Sequence, residues 1–250
     1  MKALITGASS GIGKDMAYYL ASLKIDLILV ARREDRLEEI KRNVDVEVKI
    51  IDMDLGKLDN LYKLYDKVKD DDIDILINNA GFGLFGNFIK TDLMRELEMI
   101  DVNVRAYHVL TKLFLKDFVK KNKGYILNVA SSAGFMAGPN LSTYYATKNY
   151  VVRLSEAIYE EIRRDKKNVG ISILCPGPVS TEFNFVAKGN FTISALNSED
   201  VARMAIDAMF RRKLIIVPGF MMKLGLFFRR FVSEKMLLQI AYGIQKKKEK

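Results

Sequence analysis

The chain has 250 residues, 49% hydrophobic and 28% charged, a composition suited to a soluble globular fold with enough apolar material for a large core. One cysteine (Cys175) and one histidine (His108) exclude a disulfide framework and a Cys/His zinc site. The net charge of +9 resides in residues 211–250, where eleven Lys/Arg face two acids, whereas the first 210 residues carry 29 of each sign; this argues against a nucleic-acid-binding body, whose basic patch belongs on the main fold.

In chain order, apolar strands alternate with amphipathic helices. "ALITGA" is an apolar run ended by glycine, "KDMAYYLASL" has helical spacing, and "DLILVA" is a second strand. "REDRLEEIKRNV" reads as a charged helix with Leu37 and Ile40 inward, followed by the strand "VEVKIIDMDL", the helix "LDNLYKLYDKVK" and the strand "IDILINNAG". A long helix starts near residue 92 and continues past 115; "GYILNVAS" is a strand, "STYYATKNYVVRLSEAIYEEIRRD" a long helix, and "GISILCPGPV" a strand. Ser198 is positioned to cap the helix "SEDVARMAIDAMFRR", and "KLIIVPG" forms a last short strand. Strands apolar throughout imply a parallel sheet covered by helices on both faces, hence a doubly wound α/β fold. Nothing breaks the chain into separate units, so one domain over residues 1–220 is expected, with 221–250 as a basic, apolar C-terminal extension. The reduced cysteine fits a cytoplasmic location, and the immediate entry into "KALITGA" leaves no room for a secretory signal.

"TGASSGIG" lies where the first strand turns into the first helix. Its glycines (Gly7, Gly11, Gly13) let backbone approach a pyrophosphate, and the helix start offers free N–H groups and a positive dipole end. Ser9, Ser10 and Ile12 complete this dinucleotide cradle. The second strand ends "LVARR": no acid stands at its tip to bond a ribose 2′-hydroxyl, whereas Arg32 and Arg33 can pair with a 2′-phosphate. NADP(H) is therefore expected over NAD(H).

Further motifs follow in order: "NNAG" at 78–81, Asn103 in "DVNVRA", Ser131 in "NVASSAG", "YYATK" at 144–148 and "PGPVST" at 176–181. Lys148 stands four residues beyond Tyr144 and three beyond Tyr145, so helical geometry alone does not choose between the phenols. With these motifs the chain resembles the short-chain dehydrogenase/reductase family over residues 3 to about 182. The resemblance implies a Rossmann-type sheet and a tetrad of Asn103, Ser131, Tyr144 and Lys148; the family's Y-x-x-x-K pattern selects Tyr144. It implies that Tyr144 is the general acid/base with its phenol brought down by Lys148 and an oxidised nicotinamide, that Ser131 polarises the substrate oxygen, and that Lys148 also bonds the nicotinamide ribose. Asn103 would hold a water leading to Lys148. Asp54 and Leu55 should meet the adenine and Asn78 the adenosine side, with Ala80 and Gly81 in the turn that closes on the cofactor. Pro176, Gly177, Val179 and Thr181 should line the nicotinamide. Cys175 and His108 are read as a buried strand residue and a helix-surface residue.

The residues expected around the carbonyl are mostly apolar: Phe82, Phe85, Phe135, Met136, Phe183, Phe185 and Val186, with Glu182 and Lys188 the charges nearby. A hydrophobic ketone, aldehyde or acyl chain, carried on a small-molecule substrate, fits better than a sugar. The tail's longest apolar run, Leu214 to Met222, is nine residues and contains Pro218, too short to span a bilayer. Three roles compete for the tail: a cap on the pocket, a homo-oligomer interface, or a peripheral membrane contact with Phe227, Phe228 and Phe231 inserted and Arg229, Arg230 and Lys246 to Lys248 at the headgroups. The family resemblance implies a homodimer or homotetramer. As function, an NADPH-dependent carbonyl reductase is expected, with a 3-oxoacyl-thioester reductase and a non-catalytic NADPH-sensing regulator as alternatives.

Overall fold

A computed structural model of the chain describes residues 1–183 and 195–246. The elements are β1 (Lys2–Thr6), α1 (Gly11–Ser22), β2 (Asp26–Ala31), α2 (Glu34–Arg42), β3 (Val48–Asp52), α3 (Leu58–Val68) and β4 (Ile75–Asn78). Next come α4 (Leu93–Ile100), a π-helical stretch (Asp101–Ala106), α5 (Tyr107–Lys120), β5 (Gly124–Val129), α6 (Ser142–Arg164) and β6 (Val169–Leu174). The chain continues through α7 (Ser198–Phe210), β7 (Ile215–Ile216), α8 (Phe220–Phe228) and α9 (Glu234–Lys246).

The strands form one parallel, seven-stranded sheet in the order β3-β2-β1-β4-β5-β6-β7. Successive residues of β1 point to opposite faces, as a pleated strand requires. Ala3 and Ile5 enter a core with Met16, Leu20, Leu37 and Ile206, while Leu4 enters a second core with Leu61, Leu110, Phe114 and Phe118. Burial on both faces explains why the strands are apolar throughout rather than alternating. The fully buried Phe114 and Phe118 each contribute about 1.5–3 kcal/mol by leaving water. Leu37 and Ile40 face inward as the sequence spacing predicts.

Local structure departs from the sequence reading in three places. The helix expected from residue 92 runs from Leu93 to Lys120 without a break, but Asp101–Ala106, which holds the buried Asn103, is wound as a π-helix. Ser198 does not cap α7: Asn197 does, its side chain accepting from the Glu199 N–H, while Ser198 is the first helical residue and bonds Asp15. The last strand shrinks to Ile215–Ile216, enough to pair with the end of β6.

Register fixes where the site must be. Thr6 pairs with Val30, Ala31 with Asp52, Asn78 with Asn128 and Val129 with Leu174. The carboxyl ends of the strands are therefore level, and the residues after each one meet along a single rim. The strand order reverses direction between β1 and β4, opening a crevice there.

Candidate active site

A cleft of about 580 Å³ follows this rim. Every site residue expected from the sequence lines it except Gly13, Asn78 and Asn103. At one end lies the glycine turn. Gly7 has φ +65°, and a Cβ there would stand 2.7 Å from Ala80 Cα, so the close approach of the first and fourth strand ends admits glycine only. Among the described residues no side chain caps α1, and no acid lies in its first turn, which leaves its N–H groups and positive dipole end facing the cleft through Gly11 and Ile12. This cradle suits the pyrophosphate of a dinucleotide.

Asn78 does not reach the rim. As the last residue of β4 it is buried, its amide donating to Asn128 Oδ1 (2.8 Å) and Thr111 Oγ1 (3.0 Å) within the protein. Its neighbour Asn79 takes the rim position and ties the two strand ends together through the carbonyls of Thr6 and Gly7 (3.0 and 3.1 Å). The sequence offers two adjacent asparagines, and only the register of β4 tells them apart. Gly13 lies under this asparagine, one layer below the cleft surface.

At the tip of β2, Arg33 lies over the glycine loop. Its guanidinium donates to Ser9 Oγ (3.1 and 3.2 Å), Ser10 Oγ (2.8 Å) and Glu182 (2.9 Å). Arg32 reaches outward to Glu98 at 3.4 Å. Glu182, expected as a charge near the substrate, is instead held by Arg36 and Arg33, which keep its carboxyl below the usual carboxylate range.

The other end carries Ser131, Tyr144 and Lys148. Ser131 follows β5; Tyr144 and Lys148 come from the first turns of α6 and face the cleft together. Ser131 Oγ donates to the Pro176 carbonyl (3.4 Å) and accepts from the Ala133 N–H (3.2 Å), close enough to the Tyr144 phenol to favour its ionised form. Lys148 Nζ donates to the Val129 carbonyl at 2.9 Å and stands 5.9 Å from the centroid of the Tyr144 ring. In the chain alone, burial dominates the electrostatics of this pair. Burial pushes the Tyr144 phenol well above its ordinary value, and the nearby serine opposes it only in part; burial also lowers Lys148, to about 8. The protein by itself keeps this phenol protonated.

Asn103 is fully buried, and its amide joins elements: Nδ2 donates to the Phe82 carbonyl (2.9 Å) and Thr147 Oγ1 (3.1 Å), and Oδ1 accepts from the Phe82 N–H (3.1 Å). It fastens the loop after β4 to α6. The geometry thus gives it a clamping part that the sequence reading did not anticipate.

Of the expected apolar ring, Phe82, Met136 and Phe183 line the cleft, with Phe183 packed on Tyr144 at 5.3 Å between ring centroids. Phe85 packs behind Tyr144 and Phe135 against the Val151–Val152 cluster, so neither reaches the surface of the cleft. Phe185, Val186 and Lys188 lie outside the described residues, as do Lys247 and Lys248. Cys175 is buried and His108 exposed, as expected. The sequence reading missed three lining residues from the tail. Met222, Ile244 and Gln245 close the cleft, and Gln245 donates to the Tyr145 hydroxyl at 2.8 Å. The tail therefore caps the cleft, the first of its three expected roles; no local pattern in the sequence marks Gln245 for it.

Fold and rim together define a doubly wound α/β protein built to bind a dinucleotide at its strand ends. More particularly, the chain belongs to the short chain dehydrogenase family, whose model matches residues 1–188. Members of this family are oxidoreductases that act on CH–OH/C=O groups with nicotinamide cofactors. It is 34% identical over 231 residues to an NADP-dependent 3-hydroxy acid dehydrogenase of Schizosaccharomyces pombe, covering 86% of this chain and 88% of that one. It is 32% identical to the human very-long-chain 3-oxoacyl-CoA reductase, covering 83% and 68%. Among solved structures, a short-chain dehydrogenase from Sphingobium yanoikuyae in complex with NADPH superimposes with a TM-score of 0.82 at 30% identity, covering 88% of each chain. One from Burkholderia phymatum in complex with NAD gives 0.84 at 26%, covering 92% of each.

Proposed function

We propose that this chain is an NADPH-dependent reductase of hydrophobic carbonyl compounds, with Tyr144 as the proton donor. The observation that carries the reading is the joint placement of Tyr144, Ser131 and Lys148 on one wall of a mostly apolar cleft whose far end is the glycine cradle. Carbonyl reduction requires a hydride at carbon and a proton at oxygen; bound NADPH supplies the hydride. Everything else is work for the chain. Tyr144, held protonated by burial, donates to the oxygen as negative charge develops there. The Ser131 hydroxyl, which lines the cleft beside the phenol, steadies the same oxygen. Lys148, lowered to about 8, exchanges protons near neutral pH more readily than an ordinary amine and restores the phenol. Asn103 positions α6 against the cofactor loop rather than touching the reacting atoms. Arg33 and Arg32 at the tip of β2 support NADPH as the cofactor, as does the NADPH-bound relative.

Phe82, Met136, Phe183 and Met222 around the reacting position support an apolar substrate. A narrower reading, a 3-oxoacyl thioester or 3-oxo acid as substrate, is supported by the names of the two relatives. A pure NADPH sensor would have no use for a buried phenol and ammonium sharing one cleft.

The test is Tyr144→Phe, assayed by loss of NADPH absorbance against a panel of ketones, aldehydes and 3-oxoacyl thioesters. Turnover should fall by about 10²–10⁴-fold while NADPH binding is retained. A fully active Tyr144→Phe enzyme refutes the assignment.

A further inference from the structure

We propose that the C-terminal helices α8 and α9 dock on an anionic lipid surface and hold the mouth of the cleft against it. The docking stands on the surface described below; the delivery of substrate from the lipid rests on the carbonyl-reductase reading.

The sequence of α8, "FMMKLGLFF", carries one charge in nine residues, yet the helix buries none of them. Phe220 and Phe231 are about three-quarters exposed, at 75% and 74%. Phe227, Phe228 and Phe231 contact one another, with centroids 5.5, 5.7 and 6.4 Å apart. On α9, Ala241 and Gln245 stand one turn apart and face inward, while Met236, Leu238, Ile240 and Tyr242 are exposed. A helix packed on a water-soluble body turns its polar face outward; these two turn apolar side chains out. So large an apolar outer surface marks a contact site.

Charge identifies the occupant. Lys223, Arg229, Arg230, Lys235 and Lys246 punctuate this surface against one acid, Glu234, and none of the five enters an ion pair among the described residues. Aromatic side chains with unpaired cations beside them suit the boundary between acyl chains and anionic headgroups. A second copy of this chain fits poorly, because two such surfaces would bring like charges together. The helices are too short and too charged to cross a bilayer: none of the described helices is long and apolar enough. The same helices reach the cleft from the other side, through Met222, Ile244 and the Gln245–Tyr145 bond. Docking therefore sets the lipid phase beside the cleft mouth, where an apolar substrate would partition.

The experiment uses the full chain with phosphatidylcholine vesicles, with and without phosphatidylserine, read by co-sedimentation at low and high salt. Binding should be roughly tenfold or more stronger on the anionic vesicles and should fall with salt. The triple variant Phe227→Ser, Phe228→Ser, Phe231→Ser, all exposed positions, should lose it while keeping NADPH binding. No sedimentation at low salt, or equal salt-insensitive sedimentation with neutral vesicles, overturns the proposal. So does a wild-type dimer on size-exclusion chromatography that the triple variant disperses, since the surface is then an interface between copies. In turnover, the variant should lose activity on a vesicle-borne ketone and keep it on a water-soluble one; loss of both means the rings serve the cleft and not docking. If wild type binds vesicles but reduces neither ketone, the failure belongs to the reductase reading.

Discussion

Arg33→Ala tests cofactor choice directly. In the structure the Arg33 guanidinium spans the Ser9 and Ser10 hydroxyls and Glu182, the position proposed to receive the 2′-phosphate of NADPH. A hydrogen bond to a charged group contributes about 1.5–3 kcal/mol. The side chain is 40% exposed and already engaged by Glu182, which argues for the lower part of that range, about 2 kcal/mol. At ~1.4 kcal/mol per decade this corresponds to a roughly 30-fold weaker grip on NADPH. Removing the arginine also leaves Glu182 with Arg36 alone, which adds repulsion toward a phosphate and makes the value a lower bound. NADH has no phosphate at that position, and its affinity should stay within about twofold. Arg32 is 63% exposed and turned toward Glu98, so Arg32→Ala should cost NADPH only about threefold. From sequence the two arginines are equivalent, and Arg32, first after the strand, is the natural choice for mutation; the structure moves the weight to Arg33. Titration of each variant with NADPH and NADH, followed by reduced-nicotinamide fluorescence, reads all four affinities. An equal loss for both cofactors, or an unchanged NADPH affinity, would refute the phosphate assignment.

Lys148 makes stability depend on pH. Its folded value lies near 8 against 10.5 for a free lysine amine, so between these values the unfolded chain binds more protons at this site and its contribution to stability rises with pH. Below about pH 8 the full penalty, of order 3 kcal/mol, is present in the chain without cofactor. Denaturant unfolding across pH 8 to 10 should show the wild type gaining stability relative to Lys148→Met as pH rises, while the raised Cys175 thiol and the raised tyrosines, which titrate first in the unfolded chain, pull both proteins the other way; parallel profiles would show that burial does not discharge this lysine. Gly134→Ala tests the wedge between the turn after Ser131 and α6. Its Cβ would lie 2.5 Å from Val152 Cγ2 and 2.8 Å from the Lys148 carbonyl, so a loss of about 1–3 kcal/mol is expected in thermal unfolding, with turnover falling because Ser131 and Tyr144 separate. Unchanged stability and turnover would mean that the turn relaxes freely.

Much of this protein is legible before any coordinate is known, for physical reasons that act locally. Strands buried on both faces must be apolar, helices packed on one side must be periodic, and a turn that brings backbone near a pyrophosphate must be glycine; β1 to β6, α1 and the cradle at Gly7 and Gly11 follow from those rules. The four-residue step from Tyr144 to Lys148 likewise guarantees a shared helical face. What the sequence leaves open depends on register, burial and distant partners. Strand register sends Asn78 into the sheet and Asn79 to the rim. A π-helical turn gives Asn103 its clamp on Phe82 and Thr147. Burial, which no local pattern records, raises the Tyr144 phenol and lowers Lys148 in the chain alone. Gln245 meets Tyr145 across 100 residues of chain, a contact that exists only because the tail folds back over the strand ends. Short-range rules thus determined the scaffold and the chemical groups on it, while the dielectric around those groups and the partners they meet were decided by packing between segments far apart in sequence.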